Sequence, residues 1–198
     1  MRIAAATNNQ NKINEIHHIF TLSGLDDIEI LSPKTLNIVS EPEEDSDTLK
    51  GNARIKALSL FDKTGIPSFA DDTGLFVVEL GGKPGVHSAR FASETASDED
   101  NRKLLLQLLD GKLNRKAYFE TVICYISNNE EKYFKGRCEG RINISERGNN
   151  GFGYDSIFIP DGFDETFAEL NPEVKNKISH RYKAILEFTN WLKQDKYI

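Results

Sequence analysis

The chain has 198 residues, of which 38% are hydrophobic, and it includes 12 Phe and 6 Tyr. This composition supplies enough apolar material for a folded core and argues against a disordered, low-complexity chain. The formal net charge of -6 argues against general nucleic-acid binding, which requires a basic face.

The two cysteines, Cys124 and Cys138, belong to no CxxC or Cys/His cluster, so the sequence does not indicate a zinc site. They are also too few for a secreted disulfide scaffold of this size. The apolar start of the chain is much shorter than a signal peptide or a membrane span. We therefore expect a cytoplasmic protein that binds neither membranes nor nucleic acid.

Hydrophobic periodicity and turn residues predict a succession of helices and strands. In the first part of the chain, strands are predicted over residues 3–6, 28–31, 68–70 and 75–80, and helices over residues 13–24 and 48–63. In the second part, strands are predicted over residues 118–127, 131–137, 141–145 and 156–159, and helices start near Ser97 and Ser179. Because one long hairpin interrupts the alternation, we expect an α/β fold with a mixed sheet flanked by helices.

A polar turn, Thr7 to Lys12, separates the first predicted strand from the first helix. The N-terminus of a helix carries backbone N–H groups and the positive end of the helix dipole, and both favour phosphate. Lys12 adds a positive charge that can neutralise phosphate. This pattern is also typical of an ordinary strand-to-helix turn, because it matches neither a Walker A loop nor a GxGxxG loop.

Two acidic segments indicate a cation site. Asp71 and Asp72 follow the buried strand of residues 68–70, and successive side chains of a strand point to opposite sides, so we expect only one of them to face the site. Residues 41–47 contain five acidic side chains in seven, which fits either a solvated loop or a second metal carboxylate.

Three further segments carry candidate ligand contacts. The glycines of residues 151–155 permit close approach of the backbone to a ligand, and the aromatic residues there offer a stacking surface for a base. Residues 175–181 place several donors at a helix start. Arg90, in residues 84–90, is either a phosphate partner or a surface ion pair.

Together these segments resemble, in order and spacing from residue 7 to residue 184, the inosine triphosphate pyrophosphatase family, whose members cleave ITP, dITP and XTP. The resemblance rests on Thr7-Asn8-Asn9…Lys12, Asn52-Ala53…Lys56-Ala57, Ala70-Asp71-Asp72-Thr73-Gly74-Leu75, Pro84-Gly85-Val86…Ser88-Ala89-Arg90, Gly151-Phe152-Gly153-Tyr154-Asp155 and Lys175…Ser179-His180-Arg181. It implies a single catalytic domain over residues 1–198, with two lobes around a long mixed sheet and an active-site cleft. It also implies a homodimer.

The resemblance further implies roles for individual residues. Asp72 corresponds to the essential carboxylate, which serves as metal ligand or general base, and Thr73 occupies the place of a substrate-contacting Ser. The implied triphosphate contacts are Thr7, Asn8, Asn9, Gln10, Asn11 and Lys12. The implied nucleoside contacts are Phe152, Gly153, Tyr154, Asp155, Lys175, His180 and Arg181.

The implied cofactor is Mg²⁺, held by Asp72 and one Glu of the acidic stretch. An ungapped count back from Asn52 gives Glu43, and a shift of one residue gives Glu44. The expected reaction is attack of water on the α-phosphorus, which yields a nucleoside monophosphate and pyrophosphate. The alternatives are a pyrophosphatase for pyrimidine or other modified nucleotides, and an inactive nucleotide sensor. The presence of Asp71, Asp72 and Glu43 argues against the sensor, because a protein that only binds nucleotides does not need a metal-activating site.

Overall fold

The computed structural model describes residues 1–39 and 42–196. In this part of the chain, seven strands form one sheet. The strands are β1 (Arg2–Ala5), β2 (Glu29–Leu31), β3 (Ser68–Val77), β4 (Pro84–Gly85), β5 (Lys116–Ile126), β6 (Glu131–Ile142) and β7 (Phe158–Pro160). The helices are α1 (Gln10–Leu22), α2 (Leu49–Thr64), α3 (Asp98–Leu108), α4 (Pro172–Ile178) and α5 (His180–Lys196). Among the described helices, none is long and apolar enough to cross a membrane.

The sheet is mixed, as predicted. Its order is β2-β1-β3-β5-β6-β7, with β4 paired to β3. Strand β1 is parallel to β2 and β3, whereas β4 is antiparallel to β3 and β7 is antiparallel to β6. The predicted α/β class with a mixed sheet and flanking helices is therefore confirmed.

Some elements of the structure differ from the prediction. The predicted break at residues 71–74 is wrong, because β3 runs without interruption from Ser68 to Val77. Residues 78–80 form a 3₁₀ turn, and the predicted strand at 141–145 is only the end of the long strand β6. Helix α4 was not predicted, although Asn171 caps it and Pro172 occupies its first turn.

The described chain divides into two compact units. Unit 1 comprises Met1–Asp72, Thr121–Gly136 and Arg181–Ile198, and unit 2 comprises Thr73–Glu120 and Arg137–His180. The active-site cleft and the single-domain organisation stay predictions.

In unit 1, α1 and α2 cover opposite faces of the sheet. Phe69 of β3 belongs to a core cluster that contains Phe20 of α1. The next residue, Ala70, belongs to a different cluster that contains Ala53 and Ala57 of α2. Because neighbouring strand residues point to opposite faces, each face of β3 receives its own helix. The chain thus reverses its direction of winding between β1 and β3, and ligands of open α/β sheets bind beside the carboxyl ends of strands at such a point.

In unit 2, an aromatic core fixes the ends of the strands. Phe119, Phe158 and Phe167 are all buried, with ring centroids 4.8 Å apart for Phe119–Phe158 and 5.0 Å apart for Phe158–Phe167. Leu75 and Leu105 belong to the same cluster. This core holds the segment that follows β6, including the glycine-rich turn of residues 148–154.

Candidate active site

The predicted triphosphate loop divides between a turn and a helix. Thr7, Asn8 and Asn9 follow β1, whereas Gln10, Asn11 and Lys12 form the first turn of α1. The Asn9 side chain caps the helix, because its Oδ1 accepts from the backbone N–H groups of Asn11 at 3.0 Å and Lys12 at 3.3 Å. These two N–H groups are therefore already satisfied. Of the features predicted to favour phosphate here, the helix dipole and the Lys12 ammonium remain.

The two adjacent aspartates of β3 are both buried, at 7% exposure for Asp71 and 9% for Asp72. They continue β3 beyond Phe69, which is paired with Ala5 at the end of β1. They therefore lie near the carboxyl end of the parallel pair. As expected for consecutive strand residues, their side chains meet different partners.

Asp71 faces two cations. Its Oδ2 lies 3.0 Å from Lys12 Nζ and 3.5 Å from Arg181 Nε. The Arg181 Nη1 in turn donates to Glu15 Oε2 at 2.8 Å. Burial alone would raise the pKa of Asp71, but Lys12, Arg181 and Lys56 outweigh it and hold that pKa well below its usual range. Asp71 is thus a permanent anion between α1 and α5.

Asp72 faces helix α2 and the acidic stretch. Its Oδ1 accepts from Lys56 Nζ at 2.8 Å, and its Oδ2 lies 3.5 Å from Asn52 Nδ2. The same Lys56 Nζ lies 3.1 Å from Glu44 Oε2. The Asn52 Oδ1 also accepts from the backbone N–H of Ser46 at 3.0 Å, which anchors the acidic stretch beside Asp72.

Burial raises the pKa of Asp72 to about 6, against the lowering effect of Lys56, and the charges of Glu44 and Asp71 add to the increase. Burial would lower the pKa of Lys56, but Asp72, Asp71 and Glu44 outweigh it and raise that pKa. Lys56 therefore stays positive and partly compensates three carboxylates.

The sequence prediction gave no role to Lys56, Asn52 or Glu15. The first two occur at i and i+4 in α2, which places them on one face of the helix. That spacing was the available signal for both. Glu15 follows Lys12 by three residues, which is also a same-face spacing.

The predicted second metal carboxylate, Glu43, is exposed, whereas Glu44 is half-buried beside Lys56. Glu41, at the start of the acidic stretch, lies outside the described residues. Among residues 1–39 and 42–196, no group of three or more His, Cys, Asp or Glu side chains could hold a metal alone. Two carboxylates that share one lysine nevertheless fit Mg²⁺, which commonly uses one or two carboxylates plus substrate phosphates.

In unit 2, three of the predicted nucleoside contacts come together. Asp155 Oδ2 accepts from Lys175 Nζ at 2.7 Å and from the backbone N–H of Phe152 at 2.9 Å. The Lys175 ammonium also lies 5.4 Å from the centroid of the Phe152 ring. A half-buried aromatic ring beside a charged donor suits a nucleobase, since it combines stacking with hydrogen bonding.

Other members of the predicted nucleoside set have structural partners. The Tyr154 ring lies in the core and its hydroxyl donates to Ser88 O at 2.8 Å. The Gly153 N–H donates to Asp98 Oδ2 at 2.7 Å. The His180 ring is buried and stacks on Phe119 with centroids 4.6 Å apart. Their contacts with substrate stay predictions, as does the contact of Thr73, which is half-buried in β3 directly after Asp72.

The segment of residues 84–90 supports β3. Ser88 Oγ accepts from the Leu75 N–H at 2.8 Å and donates to Gly85 O at 2.6 Å. Arg90 lies 3.8 Å from the exposed Glu94, four residues later. Of the two interpretations of Arg90, the surface ion pair agrees with this contact.

The comparisons with known proteins agree with the geometry. The model of the Ham1 family matches residues 3–191. A dITP/XTP pyrophosphatase of Thermoanaerobacter sp. (strain X514) is 47% identical over 97% of this chain and 96% of its own length. A dITP/XTP pyrophosphatase of Leptospira interrogans (strain Fiocruz L1-130) is 45% identical over 97% of both chains. The Staphylococcus aureus Ham1 protein superposes with a TM-score of 0.90 at 38% identity, covering 99% of this chain and 100% of its own. The chain therefore belongs to the Ham1 family.

Proposed function

We propose that this protein hydrolyses non-standard purine nucleoside triphosphates, namely ITP, dITP and XTP, to the monophosphate and pyrophosphate. The observation that carries the proposal is the pair of buried aspartates just beyond the end of the parallel pairing between β1 and β3, each with its own lysine. The names of the relatives support it, because the two curated proteins described above are dITP/XTP pyrophosphatases. Such an enzyme would remove these nucleotides from the nucleotide pool.

The two lysines and Asp72 each have a task in the proposed reaction. Lys12 and the dipole of α1 stabilise the charge that develops on the leaving pyrophosphate. Lys56 favours the ionised form of Asp72, and Asp72 orients the attacking water or accepts its proton. Mg²⁺, held by Asp72 and by Glu43 or Glu44, would neutralise the phosphate oxygens and make the phosphorus more electrophilic.

The chemistry of the predicted base contacts favours a 6-oxo purine. Lys175, His180 and Arg181 act mainly as hydrogen-bond donors. Hypoxanthine and xanthine present an acceptor at position 6, whereas adenine presents an amino donor there. Each buried donor left without a partner costs about 1–3 kcal/mol. We therefore expect kcat/KM for ATP to lie about 10²-fold below that for ITP.

A substrate panel tests this proposal. ITP, XTP, GTP, ATP and dTTP are incubated with the protein and Mg²⁺, and both pyrophosphate and orthophosphate are measured. We expect pyrophosphate as the product, with ITP and XTP well above GTP and with ATP lowest among the purines. Preference for dTTP would support the pyrimidine enzyme instead. Tight binding of ITP without turnover would support the sensor.

Activity should depend jointly on pH and Mg²⁺. Because burial raises the pKa of Asp72 to about 6, protons compete for this carboxylate just below neutrality. We expect kcat/KM to fall as the pH drops through this region, with a midpoint that moves to lower pH as Mg²⁺ is increased. Rate profiles from pH 5 to pH 8 at several Mg²⁺ concentrations measure this shift. A midpoint that does not respond to Mg²⁺ would contradict the proposed role of Asp72 as a metal ligand.

The assembly and the location are also proposals. The family resemblance supports a homodimer, and light scattering of the purified protein tests it. Substrates drawn from the nucleotide pool are consistent with a cytoplasmic location.

A further inference from the structure

Arg181 is held by carboxylates from two different elements of unit 1. Its Nε faces Asp71 of β3, and its Nη1 donates to Glu15 of α1 at 2.8 Å. The Arg181 side chain is only 6% exposed and that of Glu15 is 20% exposed. A buried cation is stable only when it is paired, so these contacts determine where the guanidinium lies.

Helix α1 contributes two oppositely charged residues to this cluster. Lys12 and Glu15 are three positions apart and therefore lie on one face of the helix. Lys12 binds the same oxygen of Asp71 that faces Arg181. The four groups form a row of alternating charge in the order Glu15, Arg181, Asp71 and Lys12. Two of the four are predicted substrate contacts, and the two carboxylates between and beside them have no assigned role.

Glu15 and Asp71 differ in what they control. Asp71 compensates both cations, whereas Glu15 contacts Arg181. A guanidinium is planar and presents its donors in a fixed fork, so a bond to one terminal nitrogen sets the orientation of the remaining donors. A bond from Glu15 thus constrains Arg181 without touching the Lys12 ammonium directly.

We propose that Glu15 is a positioning residue that orients Arg181 for recognition of the nucleoside, and that it leaves pyrophosphate recognition by Lys12 unaffected. This inference rests on the proposed function. It makes one helix serve both ends of the substrate, with Lys12 acting directly on the phosphates and Glu15 acting on the nucleoside through Arg181.

The test separates the two ends of the substrate by using the two products as ligands. Calorimetry measures binding of inosine monophosphate and of pyrophosphate to the parent protein, to Glu15→Gln and to Lys12→Ala. For Glu15→Gln we expect about tenfold weaker binding of inosine monophosphate, as for loss of one charged hydrogen bond, and unchanged pyrophosphate binding. Lys12→Ala should weaken pyrophosphate binding. Asp26→Asn, which alters an exposed carboxylate of the same unit, is the matched control and should change neither.

Steady-state rates provide a second reading. The ratio of kcat/KM for ITP to that for ATP should fall about tenfold in Glu15→Gln. The double variant Glu15→Gln/Arg181→Ala should have the same ratio as Arg181→Ala alone, because Glu15 acts through Arg181. Arg181→Lys keeps the charge but loses the planar fork, and it should reproduce the Glu15→Gln profile in a folded protein. If Glu15→Gln changed neither the ratio nor the binding of the monophosphate, the inference about Glu15 would be overturned, but the proposed function would stand. Failure of the parent protein to bind or cleave ITP would overturn the proposed function as well.

Discussion

Replacing Asp72 by Asn is expected to lower kcat about 10²- to 10³-fold, the usual loss when one electrostatic contact to the transition state is removed. The substitution keeps the shape of the side chain but removes the charge that, in the proposed mechanism, holds Mg²⁺ and orients water. Lys56 retains Glu44 at 3.1 Å, so no buried cation is left unpaired. The fold should therefore survive. Release of pyrophosphate from ITP gives kcat, and thermal unfolding checks the fold.

The control for this substitution is Asp62→Asn, which removes an exposed carboxylate from α2, the helix that carries Lys56. It should keep the parent rate. Near-normal turnover by Asp72→Asn would show that this carboxylate is dispensable and that the reaction centre lies elsewhere.

Replacing Asp71 by Asn is expected to act on stability and to lower the free energy of unfolding by about 3–5 kcal/mol, the range for loss of one partner from a buried ion pair. Lys12 and Arg181 would lose the anion that they share. For a chain of this length the loss corresponds to a decrease of about 10 °C in Tm. Denaturant unfolding at neutral pH measures the free energy.

Asp72→Asn is the matched comparison for Asp71→Asn, because the chemical change is the same at the neighbouring position. The pKa of Asp71 is depressed in the folded state, so its ionised form stabilises the fold above its ordinary pKa, and this contribution is lost as the pH falls. The pKa of Asp72 is raised, so its ionised form opposes folding at neutral pH. Equal losses of stability in Asp71→Asn and Asp72→Asn would contradict this assignment.

The sequence predicted the class of fold and the ends of some helices, because caps and stop residues are local signals. Thr48 and Gly65 bound α2, and Ser97 with Asp100 forms the capping box of α3. The failure at residues 71–74 has a physical cause. Asp and Gly disfavour strands, but here contacts from distant parts of the chain compensate. Asp71 meets Lys12 and Arg181, contacts that no local pattern contains.

The sequence indicated the parts of the candidate site that depend on short motifs, but not the contacts that depend on packing. The loop after β1 and the two aspartates were identified from residue type and order. The partners Lys56 and Glu15 were missed, because their relevance arises only when α1 and α2 pack against opposite faces of β3. The choice between Glu43 and Glu44 was open for a similar reason. The path of a loop is set by tertiary contacts such as the bond from Ser46 to Asn52.

Because side chains alternate between the two faces of β3, the register of this strand decides which aspartate faces which helix. A shift of one residue would send Asp72, the proposed catalytic carboxylate, to the face of Asp71 and exchange the environments of the two side chains. Two contacts further along the strand oppose such a shift. A Cβ on Gly74 would lie 2.5 Å from Gly85 O, so only glycine fits there, and Ser88 Oγ binds the next N–H. The segment of residues 84–90 thus fixes the register of β3. An insertion in β3 between the aspartates and these contacts would put Asp72 in the place of Asp71, the buried ion-paired residue.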